Sequence, residues 1–183
     1  CKEYTKKRKV FLGIDLIDEN LSVFENKRVG LITNPTGINS DYKSTIDVLF
    51  EKINLVSLFA PEHGIRGAKE AGEATSDSID SVTGLKIYSL YGQTKEPTME
   101  MMNDIDILSI DIQDVGSRFY TYVYTMAYAM MACAKYGKTF VVFDRPNPLS
   151  NIVDGNILNK AYSSFVGMYE TITRHGMTIG ELA

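Results

Sequence analysis

The stretch from Asp106 to Arg118 reads DILSIDIQDVGSR and carries the main signal for the fold. Its first half is a run of mostly apolar residues, which is typical of a strand that is covered on both faces. Its second half, Gln113–Arg118, is polar and contains Gly116, so the strand is expected to end in a turn. Such a strand predicts an α/β protein built on a parallel sheet.

The same alternation of strand, turn and helix extends in both directions along the chain. Downstream, an apolar helix is predicted from Phe119 to Tyr136, ended by the left-handed cap Gly137. Upstream, Ser44 and Asp47 have the spacing of a capping box at the start of another helix. The remaining predicted elements are strands at 28–33, 54–60, 85–90 and 139–143, and short helices near 97–103 and from about 178. This order predicts helices on both faces of a mostly parallel sheet.

The composition is that of a globular protein with one domain. The 183 residues are 44% apolar and 23% charged, and no apolar run approaches the roughly 20 residues of a membrane-spanning helix. A net charge of −4 argues against a nucleic-acid partner, which requires a basic face. We divide the chain into an N-terminal tether and lead-in, residues 1–25, and one α/β domain, residues 26–183.

The two cysteines have separate interpretations. Cys133 lies in the apolar helix, where a small buried thiol is expected. Cys1 opens the chain and is followed by a polar, basic segment that suits a tether. We therefore expect either the lipid-modified cysteine of an envelope lipoprotein or simply the position at which this sequence begins.

Polar, turn-forming residues follow each of the five main predicted strands. In chain order they are Asn34–Gly37, Pro61–Gly64, Tyr91–Gly92, Gln113–Arg118 and Asp144–Pro148. In open α/β sheets, ligands bind in the crevice outside the carboxyl ends of the strands. The preference of turns for Asn, Asp, Gly and Pro would explain any one of these clusters. Together, however, the five clusters bring Glu, His, Asp and Arg side chains to one edge of the sheet. The sequence thus predicts a binding or catalytic site at that edge.

Seven segments along the chain resemble the exo-β-N-acetylmuramidase (NamZ) family, long catalogued as a domain of unknown function. They are ITNPTG (32–37), LFAPEHGIRG (58–67), AGE (71–73), TGLKIYSLYG (83–92), DIQDVGSRFYTY (111–122), FDRPNPL (143–149) and RHGMTIGELA (174–183). PEHG followed by DIQDVGSRFYTY is the most specific part of this resemblance, which extends from about Val29 to Ala183. The resemblance implies a Rossmann-like three-layer domain of a cell-envelope enzyme that needs no cofactor. Its reaction would be hydrolysis of non-reducing-end N-acetylmuramic acid from peptidoglycan-derived saccharides, with a second, C-terminal domain beyond this chain.

Glu62 is the first candidate for a catalytic acid. It follows an apolar strand and lies between Pro61 and Gly64, where partial burial would raise the pKa of its carboxyl group and suit it to protonate a leaving group. The alternative is a structural glutamate that accepts backbone N–H groups of the turn. His63 is a candidate to orient Glu62, to bind a sugar hydroxyl or to act as an acid/base, or it is a buried structural histidine.

Asp114 is the candidate second catalytic carboxylate, and Asp111 lies just before it. Glycosidases commonly use two carboxyl groups, whose separation selects a retaining or an inverting reaction. Asp114 would otherwise cap the following helix, and Asp111 is expected to make a buried structural hydrogen bond. A further alternative is that the 2-acetamido group of the substrate is the nucleophile.

Six further residues are candidates for substrate binding, namely Asn34, Arg118, Tyr120, Arg145, Asn147 and Arg174. The arginines are expected to bind the lactyl carboxylate that distinguishes muramic acid from glucosamine, because a guanidinium offers paired donors to a carboxylate. Their alternative role is an ion pair within the protein. Tyr120 would stack on a sugar ring, and the two asparagines would bind hydroxyl groups unless they only shape their turns.

The sequence does not support several other classes of site. Two histidines far apart in the chain give no zinc-type spacing, so no metal is predicted. No G-x-G-x-x-G follows the first strand, which argues against a dinucleotide site, and no G-x-S-x-G indicates an esterase. The rival interpretation is a non-catalytic sugar-binding lipoprotein of the cell envelope, which would need the binding residues but no catalytic acid.

Overall fold

The computed structural model describes residues 10–61, 64–66, 78–92 and 94–183. The strands are β1 Val29–Thr33, β2 Leu55–Ala60, β3 Ser78–Ile79, β4 Lys86–Ser89, β5 Ile107–Asp111, β6 Thr139–Val142, β7 Asp154–Ile157 and β8 Ile172–Arg174. The α-helices are α1 Thr45–Lys52, α2 Met99–Met102, α3 Tyr122–Tyr136 and α4 Ile179–Leu182. Short 3-10 helices cover Gly13–Glu19, Leu21–Val23 and Lys160–Tyr162.

The main sheet has six strands in the order β3-β4-β2-β1-β5-β6. All neighbouring pairs are parallel except β3 with β4, which is antiparallel. The prediction of a Rossmann-like α/β domain with a mostly parallel sheet is thereby confirmed. The chain runs from β1 outward through β2 to β4 on one side, and through β5 to β6 on the other. The order of strands therefore reverses between β1 and β5.

A hydrophobic core lies on each face of this sheet. On one face, Leu31 and Leu58 pack against Leu49 of α1. On the other face, Phe59 and Ile110 pack with residues of α2 and α3. The central strands are buried along nearly their whole length, which explains why they are apolar runs rather than alternating patterns.

The N-terminal lead-in belongs to the folded domain, in contrast to the predicted boundary between residues 25 and 26. Ile14, Ile17 and Phe24 are at most 4% exposed and join the core beside α1. Gly13 donates its backbone N–H to the carbonyl of Asp144 over 2.8 Å, and a Cβ at this position would lie 2.5 Å from the backbone nitrogen of Asp144. The prediction missed this segment because 3-10 turns have no long hydrophobic period.

The predicted helix ends are confirmed in two cases and corrected in two. Gly137 ends α3 with a φ of 65°, and Thr178 with Glu181 forms a capping box at α4. The long helix begins at Tyr122 rather than Phe119. Ser44 caps α1 by accepting the N–H of Ile46, but Asp47 does not complete a capping box because it pairs with Arg66. No helix in the described part of the chain has the length and apolar character needed to cross a membrane.

Candidate active site

The crevice between the carboxyl ends of β1 and β5 is the expected ligand site of this fold, because the order of strands reverses there. The loop after β1 and the loop after β5 meet in it through Thr36, whose Oγ1 accepts the N–H of Gln113 over 3.0 Å. Asn34 accepts the backbone N–H of Thr36 over 3.0 Å with its Oδ1 and is only 4% exposed. The Oδ1 of this predicted sugar ligand is therefore used to shape its own turn.

Arg145 and Asp111 form a buried ion pair at the base of the crevice. Nε and one Nη of Arg145 donate to the two carboxylate oxygens of Asp111 over 2.6 and 2.9 Å, and the same Nη donates to the carbonyl of Ile38. Thr45 also donates its hydroxyl to Asp111, which is wholly buried. Arg145 is thus committed to the protein interior, contrary to its predicted role as a ligand of the lactyl carboxylate. The expectation of a buried structural role for Asp111 is confirmed.

Asp114 lies in the loop after β5 and faces His175, which follows β8. Oδ2 of Asp114 accepts the N–H of Gly116 over 2.7 Å and lies 3.4 Å from Nε2 of His175. Its other oxygen, Oδ1, is buried and has no hydrogen-bond partner among the residues that the structure describes. Burial raises the pKa of Asp114, while the Gly116 N–H and the charge of a protonated His175 act to lower it. Asp114 does not cap α3, whose N-cap residue is Thr121.

Arg118 and Arg174 each keep a buried Nε–H that has no partner in the part of the chain that the structure describes. One Nη of Arg118 donates to the carbonyls of Asn156 and Thr171 over 2.8 and 2.7 Å. Arg174 donates from one Nη to the carbonyl of Leu149. In contrast to Arg145, neither is paired with a carboxylate among the described residues.

Tyr120 is half-buried and packs edge-on against the ring of Tyr122, with ring centroids 4.9 Å apart. Burial, together with the nearby Tyr122 and the charge of Asp114, raises the pKa of the Tyr120 hydroxyl. This phenol therefore remains protonated at neutral pH and is a hydrogen-bond donor beside Asp114. Tyr124 is buried and donates its hydroxyl to the carbonyl of Arg118 over 2.6 Å, which fixes the start of α3.

The side chain of Asn147 contacts three loops of the site and is not simply exposed to solvent. Its Nδ2 donates to the carbonyl of Met177 over 2.9 Å, and its Oδ1 accepts the N–H of Leu149 over 2.8 Å. Gly116 passes directly below it with a φ of 75°, and a Cβ there would lie 2.4 Å from Oδ1 of Asn147. The predicted sugar ligand Asn147 thus has both polar atoms of its side chain engaged by the protein.

Glu62 and His63, the predicted catalytic acid and its neighbour, lie outside the described residues. The residues on either side of them are described. Pro61 and Gly64 are both buried at the carboxyl end of β2, and the N–H of Gly64 donates to the carbonyl of Pro61 over 3.4 Å. Since β2 neighbours β1 in the sheet, this turn begins and ends beside the crevice.

A cavity of about 640 Å³ extends along α3, and Arg118 and His175 both line it. Its remaining wall is mainly apolar and includes Met126 and Met130. Within the described ranges, no group of three or more His, Cys, Asp or Glu side chains is arranged to hold a metal ion.

His175 was not among the predicted site residues, although the segment that contains it, RHGMTIGELA, contributed to the family resemblance. Its imidazole is 2% exposed, and its Nδ1 accepts the N–H of Met177 over 3.3 Å. Asp114 and His175 are separated by about a third of the chain. No local sequence pattern could therefore have indicated its contact with Asp114.

Comparison with known proteins agrees with this architecture. The family model described as exo-beta-N-acetylmuramidase NamZ, N-terminal, matches residues 29–183. A curated protein of Bacillus subtilis (strain 168), peptidoglycan beta-N-acetylmuramidase NamZ, is 54% identical in an alignment over 182 residues that covers 97% of this chain and 44% of that protein.

Two crystal structures of proteins of the DUF1343 family from Bacteroides fragilis NCTC 9343 are also similar. One has a TM-score of 0.87 at 47% identity, and the match covers 94% of this chain and 44% of that protein. The other has a TM-score of 0.84 at 41% identity, with 46% of its length and 96% of this chain covered. The chain thus spans less than half the length of these relatives, and it belongs to the NamZ family of exo-β-N-acetylmuramidases.

Proposed function

We propose that the protein is an exo-β-N-acetylmuramidase, a glycoside hydrolase that releases non-reducing-end N-acetylmuramic acid from peptidoglycan-derived saccharides. The observation that carries this proposal is the match to a relative named peptidoglycan beta-N-acetylmuramidase, at 54% identity over 97% of this chain. The loop after β5 and the strand residue paired with it support the proposal, because they carry a buried carboxyl group, a protonated phenol and two arginines whose Nε–H groups have no partner among the described residues.

The proposal extends to the parts of the protein that this chain does not represent. Because the chain spans 44% of the Bacillus subtilis relative, we propose that a C-terminal domain completes the cleft. We further propose that the protein works in the cell envelope, where its substrate is formed, and that Cys1 carries a lipid anchor. Cys1 lies outside the described residues, and mass spectrometry of the protein from its native membranes tests this modification.

Glu62 is the proposed general acid. In the sequence it stands between Pro61 and Gly64, and these two described residues are at the carboxyl end of β2, beside the crevice. Glu62 would give its proton to the glycosidic oxygen as the bond from that oxygen to the anomeric carbon breaks, and water would supply the hydroxyl group of the released sugar. His63 is proposed to orient it, and Asp114 to act as the second carboxyl group.

The activity is tested by incubating the natural protein with a chromogenic β-glycoside of N-acetylmuramic acid, and with the N-acetylglucosamine analogue as control. We expect release of the chromophore from the muramic acid compound alone. Binding of the sugar without hydrolysis would instead identify a non-catalytic sugar-binding protein and overturn the proposal.

The role of Glu62 is tested with Glu62→Gln, which keeps the size of the side chain but removes its titrating proton. General acid catalysis typically contributes about 10²- to 10⁴-fold, so kcat on a natural disaccharide should fall by at least about 100-fold. The loss should be smaller on a nitrophenyl glycoside, because a nitrophenol leaves with little help from an acid. A folded Glu62→Gln protein with the parent rate on the disaccharide would exclude Glu62 as the acid.

A further inference from the structure

Unpartnered polar atoms are concentrated in one part of the described structure. Five buried side-chain nitrogen and oxygen atoms of the described residues have no hydrogen-bond partner, and four of them belong to Asp114, Arg118, Arg174 and His175. Buried polar groups are almost always paired in native proteins, so a cluster of exceptions calls for a functional explanation. These four residues lie in two segments, one after β5 and one at the end of β8.

The two segments are attached to each other through their backbones. The N–H of Arg118 donates to the carbonyl of Thr173 over 2.9 Å, and the N–H of His175 approaches the carbonyl of Gly116 at 3.4 Å. Asn147, in the loop after β6, also donates to the carbonyl of Met177 and so attaches the second segment to that loop. The position of His175 relative to Asp114 is therefore set by the fold and not by the two side chains alone.

The hydrogen-bonding of His175 defines where its proton lies. Nδ1 accepts the N–H of Met177, so in the neutral imidazole the proton must be on Nε2. Nε2 faces Oδ2 of Asp114 at 3.4 Å, slightly longer than an ordinary N–H···O hydrogen bond. A shift of a few tenths of an ångström closes this contact, and hydrogen bonds of catalytic groups are often long until the ligand binds.

We propose that His175 is a positioning residue for the glycosidase reaction: its Nε2–H holds Asp114 through Oδ2 and leaves Oδ1 to accept a hydrogen from the bound saccharide. This inference rests on the proposed function. His175 is not proposed to contact the substrate itself, because its two ring nitrogens face Met177 and Asp114. Among the described residues, Oδ1 of Asp114 has no hydrogen-bond partner and is free to accept from a ligand.

The electrostatic surroundings give this arrangement a measurable consequence. Burial raises the pKa of Asp114, and the nearby His175 opposes that rise, in its neutral Nε2–H form by donating to the carboxylate. The other titratable groups whose pKa responds to Asp114 are the phenols of Tyr120 and Tyr124, and Arg118 lies beside Tyr124. Removing His175 should therefore raise the pKa of Asp114 further. As the pH falls, activity that needs the carboxylate should then be lost at a higher pH than in the parent protein.

The experiment compares His175→Gln with His175→Leu in the natural protein. The amide N–H of Gln reaches about the position of Nε2, whereas Leu has similar bulk and no donor. We expect Gln to keep kcat within roughly tenfold of the parent, and Leu to lose on the order of 100-fold in kcat with KM nearly unchanged. The acid limb of the profile of kcat/KM against pH should move to higher pH in the Leu variant only. Parent kcat and an unmoved acid limb in folded His175→Leu would overturn the proposal, as would a rise in KM alone.

Two further measurements keep the test decisive. In a double-mutant cycle, His175→Leu combined with Asp114→Asn should lose no more activity than the more damaging of the two single variants, since the residues act as one unit; additive losses would contradict the pairing. Nitrogen NMR of the imidazole should report the neutral Nε2–H tautomer, with the signal identified by its absence in His175→Gln. An Nδ1–H tautomer would overturn the proposal whatever the activity. If the parent cleaves no muramic acid glycoside, the proposed function fails, and the tautomer still tests the geometry.

Discussion

The three arginines of the candidate site have different environments, although the sequence predicted the same role for all of them. Arg145 donates to both oxygens of Asp111, whereas Arg118 and Arg174 each keep an Nε–H without a partner among the described residues. The sequence could place Arg118 and Arg145 near one edge of the sheet, because each follows a predicted strand. It could not decide which arginine is paired internally, because that depends on the face of β5 from which Asp111 projects and on where the loop after β6 passes.

We predict that Arg145→Met destabilises the fold rather than changing substrate preference. The substitution leaves the carboxylate of Asp111 buried and unpaired by any cation, and breaking a buried ion pair from one side typically costs about 3–5 kcal/mol. The free energy of unfolding in urea measures this loss. The matched control is Arg145→Met with Asp111→Asn, which leaves no charge at the site and should recover part of the stability. A single variant as stable as the parent would show that the pair contributes nothing.

The preference for muramic acid over glucosamine should depend on Arg118. Arg118 lines the same cavity as His175 and has no carboxylate partner among the described residues, and loss of a charge-assisted contact to a lactyl carboxylate costs on the order of 2–4 kcal/mol, or roughly 30- to 1000-fold. We expect Arg118→Gln to reduce the ratio of kcat/KM values for the two glycosides by about this factor. This ratio is independent of the fraction of protein that is folded. Arg174→Gln is the comparison, and an unchanged ratio in Arg118→Gln with a reduced one in Arg174→Gln would transfer the role to Arg174.

At the scale of secondary structure, the elements with a long hydrophobic period were predictable and the short ones were not. No end of a predicted main strand differs from the observed one by more than one residue. The predicted bounds were 28–33, 54–60, 85–90, 106–112 and 139–143. β3 is only two residues long, and β7 is exposed along its whole length, so neither has a pattern that distinguishes it from a loop. Their positions are fixed by pairing with β4 and β8, which sequence periodicity does not contain.

One ion-pair network connects three of these elements and replaces the capping box predicted at α1. Arg66, which follows β2, donates to Asp47 of α1 over 2.9 Å and to both oxygens of Asp80, over 2.7 and 2.9 Å. Asp80 lies after β3, is 3% exposed and also accepts the N–H and the hydroxyl of Thr83. These contacts, the Arg66 guanidinium above all, lower the pKa of Asp80 from its ordinary 3.8 to about 2.

The stability that Asp80 contributes should depend on pH in a defined window. Because the pKa is lower in the folded state than in the unfolded chain, the contribution is complete above about pH 4 and is lost as the pH falls toward 2. Asp80→Asn should thus reduce the free energy of unfolding by about 2 kcal/mol at pH 7, with the difference shrinking below pH 4. Unfolding in urea across this range measures it. Asp104→Asn, on an exposed side chain 3.9 Å from Arg28, is the control and should show little dependence. A difference that is constant from pH 7 to pH 2 would contradict the assignment.

At the scale of the whole molecule, the α/β domain is completed by a segment that precedes its first strand. The lead-in from Gly13 to Phe24 covers one face of the sheet next to α1, and its backbone is joined to the carboxyl end of β6 through Gly13 and Asp144. Asp144 in turn accepts the N–H of Gly180 and the hydroxyl of Thr178 at the start of α4. The two ends of the described chain therefore meet at one residue beside the candidate site.

A form of the protein that begins at residue 26 should consequently fail to fold stably. It would lack Ile14, Ile17 and Phe24, and burial of such side chains contributes roughly 1.5–3 kcal/mol each, about 5–9 kcal/mol in total. This loss is comparable to the entire stability of a typical domain, about 5–15 kcal/mol. Gly13→Ala tests the attachment separately, because its Cβ would lie 2.5 Å from the backbone of Asp144, whereas Val23→Ala changes a side chain that is 47% exposed and serves as the control. Unfolding in urea should show a large loss of the free energy of unfolding for the form that begins at residue 26 and for Gly13→Ala, and a small loss for Val23→Ala. A stable protein starting at residue 26 would show that the lead-in is only a tether.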